Sequence, residues 1–138
     1  MSYSQNKSQH VQGEFFALKG YSNTDDISRH FSVHNFERNG DHIVFIIDGI
    51  HAETRQPFQI KRRYKHFLAL RTCFVERLPG LYIPSLPKKQ SFGNKEKEFL
   101  KERCYLLTKF LQQLSKCPYL FESEEFHVFI FPKQDIET

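Results

Sequence analysis

The spacing of apolar residues changes once along this chain, near Tyr64, and this change constrains the fold more than any other feature. Between His30 and Tyr64, β-branched and aromatic residues stand in short runs that turn signals separate, which is typical of strands. Beyond Tyr64, apolar residues recur every three or four positions, as they do on one face of a helix. Strands followed by helices indicate a domain of the α+β class.

The first part of this pattern predicts three antiparallel strands joined as a meander. The first run covers residues 30–36, and the Asn39-Gly40 pair that follows it is typical of a tight hairpin turn. The second run, rich in Val and Ile, begins at His42 and continues to Glu53. After a turn at residues 54–57, the third run extends from Pro57 to Tyr64.

The second part predicts helices on both sides of a long loop. Helical spacing runs from Lys65 to Arg77, and again from Asn94, which would serve as the N-cap, to Lys116. Residues 79–94 contain three prolines and two glycines, so this segment is expected to be a loop with an extended middle. Residues 122–131 fit a short helix or a strand. The second helix is expected to bury the apolar stripe Leu100, Cys104, Leu107, Leu111 and Leu114.

The predicted architecture is a three-stranded antiparallel sheet packed against a helical subdomain, with a long proline-containing loop between the first two helices. The chain has 138 residues, of which 39% are hydrophobic, so it can build one core and has little room for a second. We expect the domain to cover residues 13–132, between a flexible tail at 1–12 and a C-terminal tail at 133–138.

The same sequence favours a cytoplasmic setting. No run approaches the roughly 20 apolar residues of a membrane-spanning helix, and the first twenty residues lack the apolar centre of a signal peptide. The three cysteines, at 73, 104 and 117, match neither a disulfide framework nor a zinc or redox motif. A reducing compartment is therefore expected.

Positive charge is concentrated in one stretch of the chain. Residues 61–103 contain twelve Lys or Arg and four Glu, a balance of +8, whereas the remainder has a balance of −4. A domain charged in this way presents a basic face that attracts a polyanion. Nucleic acid, an anionic membrane and a phosphorylated headgroup are the candidates.

Enzyme motifs are absent from the sequence, including the phosphate-binding and dinucleotide-binding glycine patterns and the nucleophile elbow. The seven histidines lack the pairing with each other or with cysteine that metal sites use. Glu122, Glu124 and Glu125 are expected to form a solvated acidic patch. We therefore expect a chain without catalytic activity, metal or cofactor.

A possible anion site stands where the third strand meets the first helix. Arg62, Arg63 and Tyr64 come together at this junction, beside the unpaired N–H groups that begin the helix. A guanidinium can bind two phosphate oxygens at once, and a tyrosine offers a flat face to a sugar-like ring. The stiff segment 83–89 could hold lysines over a second phosphate, and Arg103 could reach ring hydroxyls.

These residues resemble the signatures of a known family, the PX (Phox homology) domain. Arg63-Tyr64-Lys65-His66-Phe67-Leu68-Ala69-Leu70 looks like its Arg-Arg-Tyr/Phe-x-x-Phe-x-x-Leu motif, and residues 83–89 match its proline loop, Ψ-Pro-x-x-Pro-x-Lys. The order of three strands, helix, proline loop and helix is also similar to that of the family. The resemblance covers roughly residues 14–131.

The resemblance implies a module that binds phosphoinositides, most often phosphatidylinositol 3-phosphate on endosomal membranes, as in sorting nexins. By position, Arg63 would bind the 3-phosphate, Tyr64 would lie beneath the inositol ring, and Lys89 would contact the 1-phosphate. Arg103 would bind the 4- and 5-hydroxyls. Lys65 is a further candidate on the 3-phosphate side, Lys88 could substitute for Lys89, and Phe92 would insert between lipids.

Two other functions stay open at this stage. The chain could be a protein-interaction adaptor of membrane trafficking, with a trafficking or coat protein as partner and a weak or differently selective lipid site. Basic and aromatic side chains could also bind single-stranded nucleic acid, but no RNA or DNA motif is present, and we expect no nucleic-acid partner. We expect first a lipid-binding protein that attaches peripherally to the endosomal or phagosomal membrane.

Overall fold

The computed structural model describes residues 30–52, 54–89 and 96–131. The two predicted tails, 1–12 and 133–138, lie outside the described residues, as do Phe92 and Asn94. The strands are β1 (Ser32–Asn39), β2 (His42–Ile50) and β3 (Pro57–Arg63). The helices are α1 (Tyr64–Arg77), α2 (Lys97–Ser115), α3 (Pro118–Phe121) and α4 (Glu124–Ile130). This is the α+β arrangement that the change of period predicts.

The three strands form one antiparallel sheet in the order β1-β2-β3. Asn39 pairs with His42 across the predicted hairpin, and Gly40 adopts a φ of +67°, a conformation that costs glycine little. β2 ends at Ile50 and does not continue to Glu53 as predicted. The chain turns after His51 instead, and the Arg55 N–H closes the turn by donating to the His51 carbonyl at 3.0 Å.

Two helices begin at other residues than predicted. α1 begins at Tyr64, one residue early, and α2 begins at Lys97 with Glu96 as its N-cap in place of Asn94. The ambiguous segment 122–131 is a helix, since the Ser123 hydroxyl accepts the Phe126 N–H at 3.1 Å and so caps α4. α3 was not predicted; it is a single turn with Pro118 at its start.

The core lies between the inner face of the sheet and the helices. The whole predicted stripe of α2 is buried, and Phe45 and Ile47 of the central strand face the same core. Phe31, Phe126 and Phe129 add aromatic contacts from the two ends of the described chain, with the Phe31 and Phe126 rings edge to face at 5.8 Å. The aromatic-rich composition is thus used mainly for packing.

One threonine links the sheet to α2. The Thr108 hydroxyl accepts the Val33 N–H at 2.8 Å and itself donates toward the Cys104 carbonyl at 2.9 Å. Val33 precedes an irregularity in the β1–β2 pairing, where a backbone N–H loses its usual partner. Thr108 satisfies that group and fixes the edge strand against the helix.

The predicted solvated acidic patch is wrong for two of its three members. Glu124 and Glu125 are only partly exposed, and Glu125 forms a two-pronged ion pair with Arg77 of α1, in which Nη2 donates to Oε1 at 2.9 Å. α4 packs onto α1 and brings these side chains together, which the linear sequence does not reveal. Among the helices described, none is long and apolar enough to cross a membrane.

Candidate functional site

The alternation of side chains along β3 separates the two adjacent arginines of the predicted anion site. Arg62 points into the protein and is 4% exposed. Its Nε donates to the Phe129 carbonyl at 2.8 Å, and its Nη1 donates to the Lys61 carbonyl at 2.6 Å. Arg62 therefore connects β3 to α4 and is a structural residue. Arg63 lines a cavity on the other side.

The start of α1 orients the residues that follow Arg63. Arg63 is the N-cap, with extended φ and ψ, and its backbone N–H donates to Nδ1 of His66 at 3.0 Å. This bond satisfies a donor that would otherwise lack a partner at the helix end. It fixes the point where strand becomes helix, and so it places Tyr64 and Lys65 on the first turn beside the cavity.

The proline loop is attached to α1 at two points. The Tyr64 phenol donates to the Pro87 carbonyl at 2.5 Å. Two turns further along the same face of α1, Arg71 Nε donates to the Pro84 carbonyl at 2.7 Å. Ile83 is buried in the core below. These contacts hold the loop, and with it Lys89, next to the helix.

Arg71 is a residue that sequence reasoning missed as part of the site. The only signal for it is its spacing, because it lies seven positions after Tyr64 and so on the same side of the helix. A basic residue in a helical apolar pattern is usually solvent-exposed. Here it is partly buried and donates to the carbonyl of a loop proline.

Arg103 forms one wall of the cavity from α2. It is 6% exposed, and its guanidinium carbon lies 4.4 Å from the centre of the Tyr64 ring and 4.7 Å from that of Phe99. One Nη donates to the Lys88 carbonyl at 2.5 Å, whereas Nε has no partner among the described residues. Burial lowers the pKa of the Arg103 guanidinium, and the Tyr64 phenol opposes that shift.

The cavity itself has a volume of about 280 Å³. Five of the six residues predicted to bind a headgroup line it: Arg63, Tyr64, Lys65, Lys89 and Arg103. The sixth, Lys88, does not line the cavity and contributes its carbonyl oxygen to Arg103 instead. The predicted insertion residue, Phe92, lies outside the described residues.

The hairpin tip between β1 and β2 supplies cavity residues that were not predicted. Asp41 and His42 line the cavity opposite the loop, and Phe99 lines it from α2. Among the described residues, four Lys or Arg side chains line the cavity together with one carboxylate. The excess of positive charge suits a phosphorylated ligand, while the carboxylate limits how much negative charge fits.

Comparisons with known proteins agree with this geometry. The family model of the PX domain matches residues 51–133. Sorting nexin-7 from Homo sapiens is 36% identical over 80 residues, which are 53% of this chain and 20% of that protein. Sorting nexin-4 from Saccharomyces cerevisiae is 34% identical over 79 residues, 54% of this chain and 19% of that protein.

A solved structure agrees as well. The X-ray structure of a designed CISK-PX domain superposes with a TM-score of 0.65 and 26% identity, covering 72% of this chain and 95% of that one. The chain spans at most about a fifth of the length of the curated relatives named above. The matched range contains Arg63, Tyr64, Lys89 and Arg103. The chain belongs to the PX domain family.

Proposed function

We propose that this chain recognises phosphatidylinositol 3-phosphate and so attaches its protein peripherally to endosomal membranes, without catalysing a reaction. The observation that supports this best is the convergence of Arg63, Lys89 and Arg103 on one cavity beside the Tyr64 ring. These residues come from a strand end, a loop and a distant helix. Surface charges without a common ligand have no reason to meet in this way.

Each cation has a role that its position favours. Arg63, at the strand-to-helix corner, would bind the 3-phosphate through its two-pronged guanidinium, with Lys65 as a second cation on that side. Lys89, held by the anchored loop, would bind the 1-phosphate that joins the ring to the lipid. Tyr64 would lie against the face of the inositol ring.

Arg103 would bind ring hydroxyls and not a phosphate. Its guanidinium is held between two aromatic rings and already donates to the Lys88 carbonyl. Nε is the donor that stays available. A buried, immobile donor is well suited to neutral hydroxyls, because it discriminates by position more than by charge.

Asp41 favours a headgroup with one monoester phosphate. It lines the cavity together with Arg63 and Lys65, and its carboxylate can accept a hydrogen bond from a ring hydroxyl. A phosphate placed at that hydroxyl would instead meet a like charge. Asp41 and His42 precede the residues that the PX model matches, so the family match does not cover this feature of the hairpin.

Membrane contact would follow headgroup binding. Tyr82 is 74% exposed on the anchored loop, and Leu68 at the cavity edge is also exposed. A tyrosine suits the interface between headgroups and acyl chains, since one end is apolar and the other polar. Phe92 remains a prediction for the same role. One headgroup site with shallow insertion gives reversible attachment.

Binding to vesicles of defined composition tests the proposal. The wild-type chain should sediment with vesicles that contain phosphatidylinositol 3-phosphate in preference to vesicles with the same charge from phosphatidylserine. Arg63→Ala should abolish that preference. Lys61→Ala is the matched control, because Lys61 is exposed, pairs with Glu37 at 3.1 Å and does not line the cavity. Equal losses in both variants, or no preference in the wild type, would refute the proposal.

A further inference from the structure

A second cavity, larger than the first, lies between α1 and α4. Its volume is about 370 Å³. Ala69 and Leu70 of α1 and Val128 and Phe129 of α4 form its apolar walls. We call it the α1–α4 groove. Nothing in the headgroup function uses it.

The groove has a firm base and an exposed apolar edge. Leu70 and Phe129 are buried members of the core, so the base does not depend on loops. Val128 is 41% exposed, and Ala69 and Cys73 are exposed as well. An apolar side chain from another molecule would find contacts on both walls and would cover surface that is now in water.

The charges around the groove are acidic. Glu124 and Glu125 line it, and no Lys or Arg stands among the described residues that do so. Arg77 pairs with Glu125 from the side. Glu124 has no such pair within the described part of the chain. Burial and the charge of Glu125 both raise the pKa of its carboxyl group, against the opposing effect of Arg77. A cation brought to Glu124 would relieve this unfavourable environment.

The groove and the headgroup cavity use different sides of α1. With about 100° of rotation per residue, Tyr64, Lys65 and Leu68 face one side, while Ala69, Leu70 and Cys73 face a direction roughly 140° away. A ligand in the groove would therefore leave the lipid site open. Both could be filled at the same time.

We propose that the α1–α4 groove binds a basic peptide segment of a partner protein, with an apolar side chain between Leu70 and Phe129 and a Lys or Arg against Glu124. A peptide side chain suits the open space between the two helices. An acidic ligand or a second anionic lipid is disfavoured, because it would bring negative charge to two carboxylates.

Titration with two synthetic peptides tests this inference. One is a short peptide of alternating Lys and Leu, and the other replaces every Lys by Glu. Backbone amide NMR signals are followed in the complete chain without membranes. The Lys peptide should shift signals of residues 66–73 and 124–129 in a saturable way, and the Glu peptide should not. Equal shifts with both peptides, or shifts confined to other residues, would overturn the inference.

Variants show whether the Lys peptide binds at the groove or at acidic surface in general. Glu124→Gln should weaken the Lys peptide about fivefold, and Val128→Ser should weaken it about threefold. Glu122→Gln is the matched control, since Glu122 is exposed and does not line the groove. An equal effect of the two glutamate variants would overturn the inference.

Cys73 gives an independent readout. It is exposed and lines the groove, whereas Cys104 is buried with a thiol pKa raised to about 11, so maleimide reacts slowly with Cys104. In a Cys117→Ser background, saturating Lys peptide should slow Cys73 labelling at least about fivefold if it covers the groove. Unchanged labelling at saturation would contradict occupancy of this site.

Discussion

Arg103 combines burial with charge in the wall of the cavity that we propose as the headgroup site. The rings of Tyr64 and Phe99, each close to the Arg103 guanidinium, replace part of the hydration that a buried guanidinium loses, and the Lys88 carbonyl replaces another part. The planar shape of the group is essential to this arrangement. Only a flat cation can lie between two rings and still direct an N–H edge at a ligand.

Arg103→Lys keeps the charge and removes the flat shape. We expect about tenfold weaker binding of the soluble 3-phosphate headgroup, measured by calorimetry, because the ammonium group cannot stack on both rings and reach the hydroxyls. The free energy of unfolding should fall by about 1 kcal/mol. Lys101→Arg, on the exposed side of α2, is the control. Full headgroup affinity in Arg103→Lys would contradict the assigned role.

Asp41 is expected to exclude headgroups that carry a second monoester phosphate. Asp41→Asn removes one negative charge from the cavity, so the affinity for a bisphosphorylated headgroup should rise about fivefold relative to that for the 3-phosphate. Competition between the two soluble headgroups measures the ratio. Glu76→Gln removes an exposed charge elsewhere and should leave the ratio unchanged. An equal gain for both headgroups in Asp41→Asn would indicate general attraction and no selection.

The buried Cys104 thiol is expected to make the free energy of unfolding depend on pH in the alkaline range. Burial raises the pKa of its thiol from 9.0 to about 11. Between these values the unfolded chain releases the proton while the folded chain keeps it, so the free energy of unfolding should decrease as the pH rises from 9 to 11. Urea denaturation along this range should show a smaller decrease in Cys104→Ala than in the wild type. Cys73→Ala, at an exposed thiol, should match the wild type.

Sequence alone predicted Arg63, Tyr64 and Lys89 from two motifs, and Arg103 from its position beside the apolar stripe. The four residues line one cavity, and their roles in headgroup binding stay predictions. Sequence alone did not separate Arg62 from Arg63, because the face that a strand residue takes depends on which side of the sheet the helices cover. Asp41 joins the site through the folding back of a hairpin. That is a long-range effect, and no local pattern encodes it.

At the scale of elements, the contact between β1 and α2 rests on the Thr108 hydroxyl. Thr108→Val keeps the shape and leaves the Val33 N–H without its partner. We expect the free energy of unfolding to fall by about 1–2 kcal/mol, as for other half-buried donors that lose an acceptor. Thr72→Val, on the exposed side of α1, should change it little. Chemical denaturation measures both, and equal values would contradict the bridging role.

The type of each element, strand or helix, was predictable because each type has its own spacing of apolar residues. The first and last residue of each element were harder to predict. α1 starts at Tyr64 because His66 accepts the Arg63 N–H, a side-chain contact that hydrophobic spacing does not report. β2 stops at Ile50 because the backbone turns at His51, although β-favouring residues precede it. Segment 122–131 is too short for its period to be distinctive, and Ser123 decides its type.

At the scale of the molecule, charge and ligand geometry should respond differently to salt. Attraction of the basic stretch 61–103 to an anionic vesicle acts through solvent and is screened, whereas contacts inside the cavity are screened less. Raising NaCl from about 0.1 to 0.5 M should weaken vesicle binding about tenfold and soluble headgroup binding about threefold. Titrations at both salt concentrations provide the comparison. Equal losses would mean that the vesicle surface adds no attraction of its own.

The placement of α1 between the two cavities affects the residence time of the protein on a membrane. If one side of α1 binds a lipid and the other side binds a peptide, both ligands can be held at once. Two weak attachments on one rigid body bind more tightly together than either does alone. Each ligand alone would hold the molecule reversibly, and for a shorter time than the two together. The protein would then accumulate on those membranes where the lipid and the partner protein occur together.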